Sequence, residues 1–166
     1  NMCDKALGGI LFIDEAYNLC TDNDNYGQEA LDTLMKRMED DRGKFVVIAS
    51  GYKDNMDAFM SVNPGLSSRF THRMHIDDYN EDELLSIFKK MASKDEYVLS
   101  QAAELKLMDA ICRLVVSKDS QFGNAREMRN LLDKIIQHLS YRVSKMQPSE
   151  ITEDVFKVIM PEDIYN

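Results

Sequence analysis

No apolar stretch in the 166 residues approaches the roughly 20 that a membrane-spanning helix needs, so a helical span is not expected. The polar start, Asn1 to Lys5, does not read as a signal peptide either. Basic residues are in the minority, with 20 Lys and Arg against 29 Asp and Glu and a formal charge of -9, and they form no run. Such a balance repels a phosphate backbone and disfavours nucleic-acid binding. Cysteine is scarce: Cys3, Cys20 and Cys112 are odd in number and widely spaced, which suits reduced thiols in a cytoplasmic protein better than a disulfide framework. His72 and His75 stand three apart on an expected strand, hence on opposite faces, and cannot share a metal ion.

What is present begins with Ile10, Leu11, Phe12 and Ile13, a continuous apolar run followed at once by Asp14 and Glu15. Continuous apolarity predicts a parallel strand covered on both faces, which puts the two acids at its carboxyl end. In doubly wound sheets that edge is where ligands bind. Mg²⁺ takes few protein ligands and keeps most of its waters, so one carboxylate, Asp14, suffices to anchor it. Glu15 is then available to orient and deprotonate a water in phosphoryl transfer. The competing reading is a buried strand followed by a polar turn.

The companion of such a strand in a nucleotide hydrolase is a phosphate-cradling loop, G-x-x-x-x-G-K-[ST], between a strand and a helix upstream. The sequence has none. Its only Gly-Lys pair, Gly43-Lys44, is followed by Phe45 and has Met38 where the first glycine belongs. The expectation is either a piece of a longer protein or a domain that cannot hold a triphosphate alone.

Farther along, Ala30, Leu31, Leu34, Met35 and Met38 mark one face of an amphipathic helix that ends at Asp40 to Gly43. A second buried strand is predicted within 44–50, a short helix over 53–60 closed by an Asn63-Pro64-Gly65 turn, and a third strand over 73–76. Thr21 to Tyr26 reads as a solvated loop, with a pore-bordering segment as the rival reading. From Asn80 onward only helices are expected. Asn80 is an N-cap with Glu83 three residues on, followed by helices over 100–116 and 124–143 and a last short element capped by Thr152. The predicted fold class is α/β: a parallel-sheet core over 1–79, then a small helical domain over 80–166.

Three blocks carry a resemblance. They are Gly8-Gly9-Ile10-Leu11-Phe12-Ile13-Asp14-Glu15-Ala16-Tyr17 with Tyr26-Gly27-Gln28-Glu29-Ala30 behind it; Val46-Val47-Ile48-Ala49-Ser50-Gly51-Tyr52 continuing to Asn63-Pro64-Gly65-Leu66-Ser67-Ser68-Arg69-Phe70; and Gly123-Asn124-Ala125-Arg126 with Arg129 and Asn130. In this order the chain resembles the AAA+ ATPases, in the branch of red-type rubisco activase, stage V sporulation protein K and the type VII secretion ATPase. The resemblance implies a partial P-loop NTPase core, a parallel sheet lacking its first two strands, followed by a helical lid. It implies ATP and Mg²⁺ as cofactors, Asp14 for the magnesium-water shell, Glu15 as base, Arg69 as an arginine finger on an exposed turn, and Arg126 as the sensor 2 arginine. Arg73 and Arg129 compete for the two arginine roles. Where many AAA+ proteins place a sensor 1 asparagine this sequence has Ser50, Gly51 and Tyr52, so sensor 1 falls to Ser50 or Tyr52.

The resemblance further implies self-association into a ring, a hexamer in this family, that remodels a protein partner, with the present residues inactive without the phosphate loop. The alternative is a non-hydrolysing assembly or adaptor module. The central strand of the family's sheet would lie between the strands at 45–50 and 73–76. Its absence predicts strand exchange between copies, direct pairing of those two strands, or displacement of one.

Overall fold

The computed structural model describes residues 2–20, 25–119 and 122–165. They fall into two compact units, one up to Ile76 and one from Asp77. The sequence reading of 21–26 lies largely outside the described residues, which resume at Asn25 with the start of a helix.

In the first unit, α1 (Met2–Ala6) leads into β1 (Ile10–Ile13), a 3₁₀ turn (Ala16–Cys20), α2 (Asn25–Asp40), β2 (Val46–Ala49), α3 (Lys53–Val62) and α4 (Pro64–Arg69). β1 and β2 pair in parallel, Ile10 beside Val46 through Ile13 beside Ala49. The long α2 makes the crossover that parallel pairing requires. Gly43, at a positive φ of 79°, turns the chain between α2 and β2, and Lys44 folds back to within 3.0 Å of Asp41. The sole Gly-Lys pair is thereby used in a turn.

One face of this two-stranded sheet meets a core of Leu31, Leu34, Phe59 and Leu66, with Leu11, Ile13 and Val47 packed against it. The opposite face is bare: Ile10 is 62 % and Phe12 59 % exposed, and Val46 and Ile48 beside them are also exposed. The continuous apolar run predicted cover on both faces, but among the described residues only one layer of helices packs on the sheet. A strand apolar on both sides is built for a three-layer arrangement.

Two further expectations are corrected here. Residues 73–76 form no strand, because a strand exists only by pairing and among the described residues none pairs with them; Met74 and Ile76 are exposed at 89 % and 84 %. Direct pairing of the strands at 45–50 and 73–76 is not seen among the described residues, where β2 pairs with β1 alone. The turn at 63–65 is instead the start of α4, with Asn63 as N-cap accepting a 2.8 Å hydrogen bond from the Gly65 amide and Pro64 at the first helical position. Proline fits there because its missing N–H would be unsatisfied anyway.

The second unit comprises α5 (Glu81–Lys94), β3 (Val98–Leu99), α6 (Gln101–Val116), α7 (Ala125–Ser144), a 3₁₀ turn (Pro148–Glu150), α8 (Glu153–Lys157), β4 (Val158–Ile159) and a final 3₁₀ turn (Pro161–Asp163). The predicted capping box opens α5, with Asn80 and Glu83 exchanging two 2.9 Å side-chain to backbone bonds. Leu84 and Phe88 of α5, Leu107 and Ile111 of α6, and Met128 and Ile135 of α7 are wholly or almost wholly buried together. Each large apolar side chain so buried contributes about 1.5–3 kcal/mol. The unit is not helices only: β3 and β4 pair in parallel, Val98 with Val158 and Leu99 with Ile159. Two-residue strands leave no periodicity to read.

Among the described residues Asp163 is the one buried charged side chain, 1 % exposed. Its carboxylate accepts from Arg142 Nε at 2.8 Å and Nη2 at 2.9 Å, and from the Met160 amide at 2.9 Å. Arg142 Nη2 also reaches the Val158 carbonyl at 3.1 Å, so this forked pair ties α7 to β4 and the C-terminal turn. Removing one partner of a buried pair strands the other charge. Asp163→Ala is therefore expected to destabilise the second unit by about 3 kcal/mol, whereas the double change Asp163→Ala with Arg142→Met recovers much of the loss. Thermal denaturation of both variants checks this, and a drop of about 1 kcal/mol or less for Asp163→Ala would mark the pair as equivalent to a surface contact.

Candidate active site

The parallel ladder places the chemistry. Ile13 pairs with Ala49, so Asp14 and Ser50 leave the two strands side by side at the carboxyl edge. Ser50 donates its amide to the Ile13 carbonyl at 2.9 Å, and its carbonyl accepts from the Ala16 amide at 3.0 Å. The Ser50 hydroxyl donates to Asp14 Oδ1 at 2.7 Å, and the Glu15 amide donates to the same oxygen at 3.1 Å. Both bonds fall on Oδ1, and among the described residues Oδ2 accepts none.

Glu15 adopts a φ of 49°, a left-handed backbone uncommon for a residue with a Cβ. Its Oε2 accepts from Asn18 Nδ2 at 3.2 Å, whereas Asp14 is held by the Ser50 hydroxyl. Strained backbone of this kind clusters where a side chain has to be aimed. The sequence reading missed Asn18, which the 3₁₀ turn folds back onto the acid it orients.

It also missed why Gly51 stands between Ser50 and Tyr52. A Cβ there would lie 2.7 Å from the Tyr17 ring and 3.0 Å from Met56 Sδ, so Tyr17 packs directly over the glycine backbone. The Asp-Glu-Ala-Tyr and Ser-Gly-Tyr segments are thus fitted to each other. Tyr52 is the N-cap residue of α3, its carbonyl accepting from the Met56 amide at 2.8 Å.

Arg69 differs from expectation. It ends α4 and is folded against α2, not presented on an exposed turn. Nε donates to the Met35 carbonyl at 3.1 Å, Nη1 to the Gly65 carbonyl at 3.2 Å, and Nη2 to Glu39 Oε2 at 3.3 Å. The helix at 64–69, hidden in sequence behind an apparent turn, makes this possible. Arg73 is more exposed and lies 3.9 Å from Asp57. In the second unit Arg126 is the second residue of α7 and Arg129 lies one turn on. Both are exposed, and among the described residues neither side chain makes an ion pair or hydrogen bond. No three His, Cys, Asp or Glu side chains converge on a metal position among the described residues. None of the described helices is long and apolar enough to cross a membrane.

Residues 1–78 match the model of the ATPase family associated with various cellular activities, and residues 80–166 match the AAA lid domain. Stage V sporulation protein K of Bacillus subtilis (strain 168) is 44 % identical over 141 residues, which is 84 % of this chain and 44 % of that protein. A CfxQ homolog of Guillardia theta is 41 % identical over 162 residues, 96 % of this chain and 55 % of that protein. The chloroplastic ribulose bisphosphate carboxylase/oxygenase activase of Cyanidioschyzon merolae (strain NIES-3377 / 10D) is 39 % identical over 162 residues, with coverage of 96 % and 55 %. The chain spans about half the length of these curated relatives.

Proposed function

Because the chain belongs to the AAA+ ATPase family, with a partial α/β core followed by an AAA lid domain, we propose that it is the later part of a motor that hydrolyses ATP to remodel a protein partner. The phosphate-binding loop, which these 166 residues lack, is assigned to the rest of the full-length protein, since the chain spans about half the length of its curated relatives. The observation that carries this reading is the joint at the strand ends, where Ser50 holds Asp14 by one oxygen and Asn18 holds Glu15.

A carboxylate and a hydroxyl are hard oxygen donors of the kind Mg²⁺ takes, and Oδ2 of Asp14 is available to accept from a metal-bound water. When bound, Mg²⁺ with ATP supplies the electrophilic phosphorus and the positive charge that offsets the developing negative charge. Asp14 then fixes the metal's water shell, and Ser50, as sensor 1, keeps that carboxylate from turning; Tyr52 is the second candidate for sensor 1. Glu15 takes the proton of the attacking water. Arg126 at the start of α7 contacts the nucleotide as sensor 2, with Arg129 as its competitor. Arg69, or failing it Arg73, serves as a finger toward nucleotide held by a neighbouring copy, which makes turnover depend on a ring, hexameric by family likeness. For Arg69 this requires release from Glu39 and the Met35 carbonyl. The odd, widely spaced cysteines support a cytoplasmic setting.

The test is Mg²⁺-dependent ATP turnover by the full-length protein. Asp14→Ala is expected to raise the Mg²⁺ concentration needed for half-maximal turnover by about 10–100-fold, the scale of losing a partner of a metal's water shell. No turnover by the wild-type protein at any Mg²⁺ concentration would overturn the motor and favour a non-hydrolysing assembly module.

A further inference from the structure

Asn124 stands at the N-cap of α7, yet its side chain caps nothing in that helix. An asparagine there ordinarily accepts from the amides of the first turn. Here Oδ1 accepts instead from the Tyr79 amide at 3.0 Å, while Nδ2 donates to Asp78 Oδ1 at 2.8 Å and to the Phe122 carbonyl at 3.2 Å. Asp78 is held in turn by Lys118 Nζ, 2.9 Å from Oδ2. The backbone bears a cost for this: Asn124 has a φ of 49° and a ψ of -114°, a combination suited to glycine rather than to a residue with a Cβ. A residue that forgoes its capping bonds and sits in strained backbone is being used for its carboxamide.

Residues 78 and 79 are where the chain enters the second unit, and Arg126 lies two positions beyond Asn124. We infer that Asn124 is a positioning residue: with Asp78 and Lys118 it clamps the entering chain to the root of α7 and thereby fixes the placement of Arg126 toward nucleotide. This rests on the proposed role of Arg126. The two acceptor and donor ends of one carboxamide are both needed, since Oδ1 takes a backbone N–H and Nδ2 gives to a carboxylate. An aspartate at 124 would keep the first bond and set two carboxylates against each other in place of the second.

The experiment uses the full-length protein and follows ATP turnover together with hydrogen exchange at the Tyr79 amide. Asn124→Asp is expected to raise KM for Mg·ATP about tenfold, the scale of losing one charge-assisted bond, with kcat changed less. Asn124→Gly relieves the backbone strain, so it folds, yet it loses the clamp and is expected to show the same KM rise and faster exchange at Tyr79. The exchanged pair Asp78→Asn with Asn124→Asp restores one donor facing one carboxylate beside Lys118, and is expected to recover most of the KM. Normal KM in Asn124→Asp and Asn124→Gly, or no recovery in the exchanged pair, overturns the inference while leaving the ATPase reading intact. A wild-type protein that neither binds nor hydrolyses ATP overturns both, whatever the exchange at Tyr79.

Discussion

ATP turnover by the full-length protein is expected to fall by about 10³-fold or more on Arg69→Ala, the scale measured for guanidinium groups that meet a transferring phosphoryl group. If Arg69 is the proposed finger, ATP binding should change little, because such a group acts where charge develops, on nucleotide held by a neighbouring copy. Arg69→Lys should not rescue it, since an ammonium lacks the planar fork. In the structure this guanidinium is occupied by Met35, Gly65 and Glu39 of its own chain. Its contacts with two carbonyls and one exposed carboxylate are exchangeable ones, and an exposed ion pair contributes little. Wild-type turnover in Arg69→Ala would move the role to Arg73.

Glu15→Gln is expected to lower turnover by about 10²–10⁴-fold, the usual contribution of a positioned general base, and to leave ATP bound and unreacted. The amide keeps the bond from Asn18 Nδ2, because its carbonyl oxygen still accepts, so geometry is preserved while basicity is lost. The two variants also test each other. If the finger works between copies, a site made of an intact Glu15 from an Arg69→Ala subunit and an intact Arg69 from a Glu15→Gln subunit is complete. Mixing the two inactive proteins should then restore part of the turnover, and mixtures as inactive as their components would exclude a site shared between subunits.

What sequence could and could not reveal follows from how each signal arises. The acidic strand end was legible because strand direction and an apolar run fix where Asp14 and Glu15 emerge, and the ladder then brings Ser50 beside them. The α5 capping box and the α7 helix were legible because caps and helical periodicity are local. Residues 73–76 misled because β-propensity expresses itself only through a partner strand. The apolar run of β1 predicts cover on both sides, and its bare face at Ile10 and Phe12 shows that a sequence records the layers a strand is suited to, not those present. Asn63-Pro64 reads in sequence as a turn although the same pair is an N-cap followed by a first helical residue, and this ambiguity hides the helix that folds Arg69 onto α2. Asn18, the Tyr17 ring over Gly51, and the Asn124 clamp depend on side chains meeting in space and leave no periodic trace.

The most direct test is a crystal structure of the full-length Glu15→Gln protein with ATP and Mg²⁺. The predicted result is a triphosphate cradled by an upstream loop, its metal's water shell hydrogen-bonded to Asp14 Oδ2, and residue 15 facing a water in line with the terminal phosphate. Nucleotide bound away from the ends of β1 and β2, or a metal with no water contact to Asp14, would contradict it.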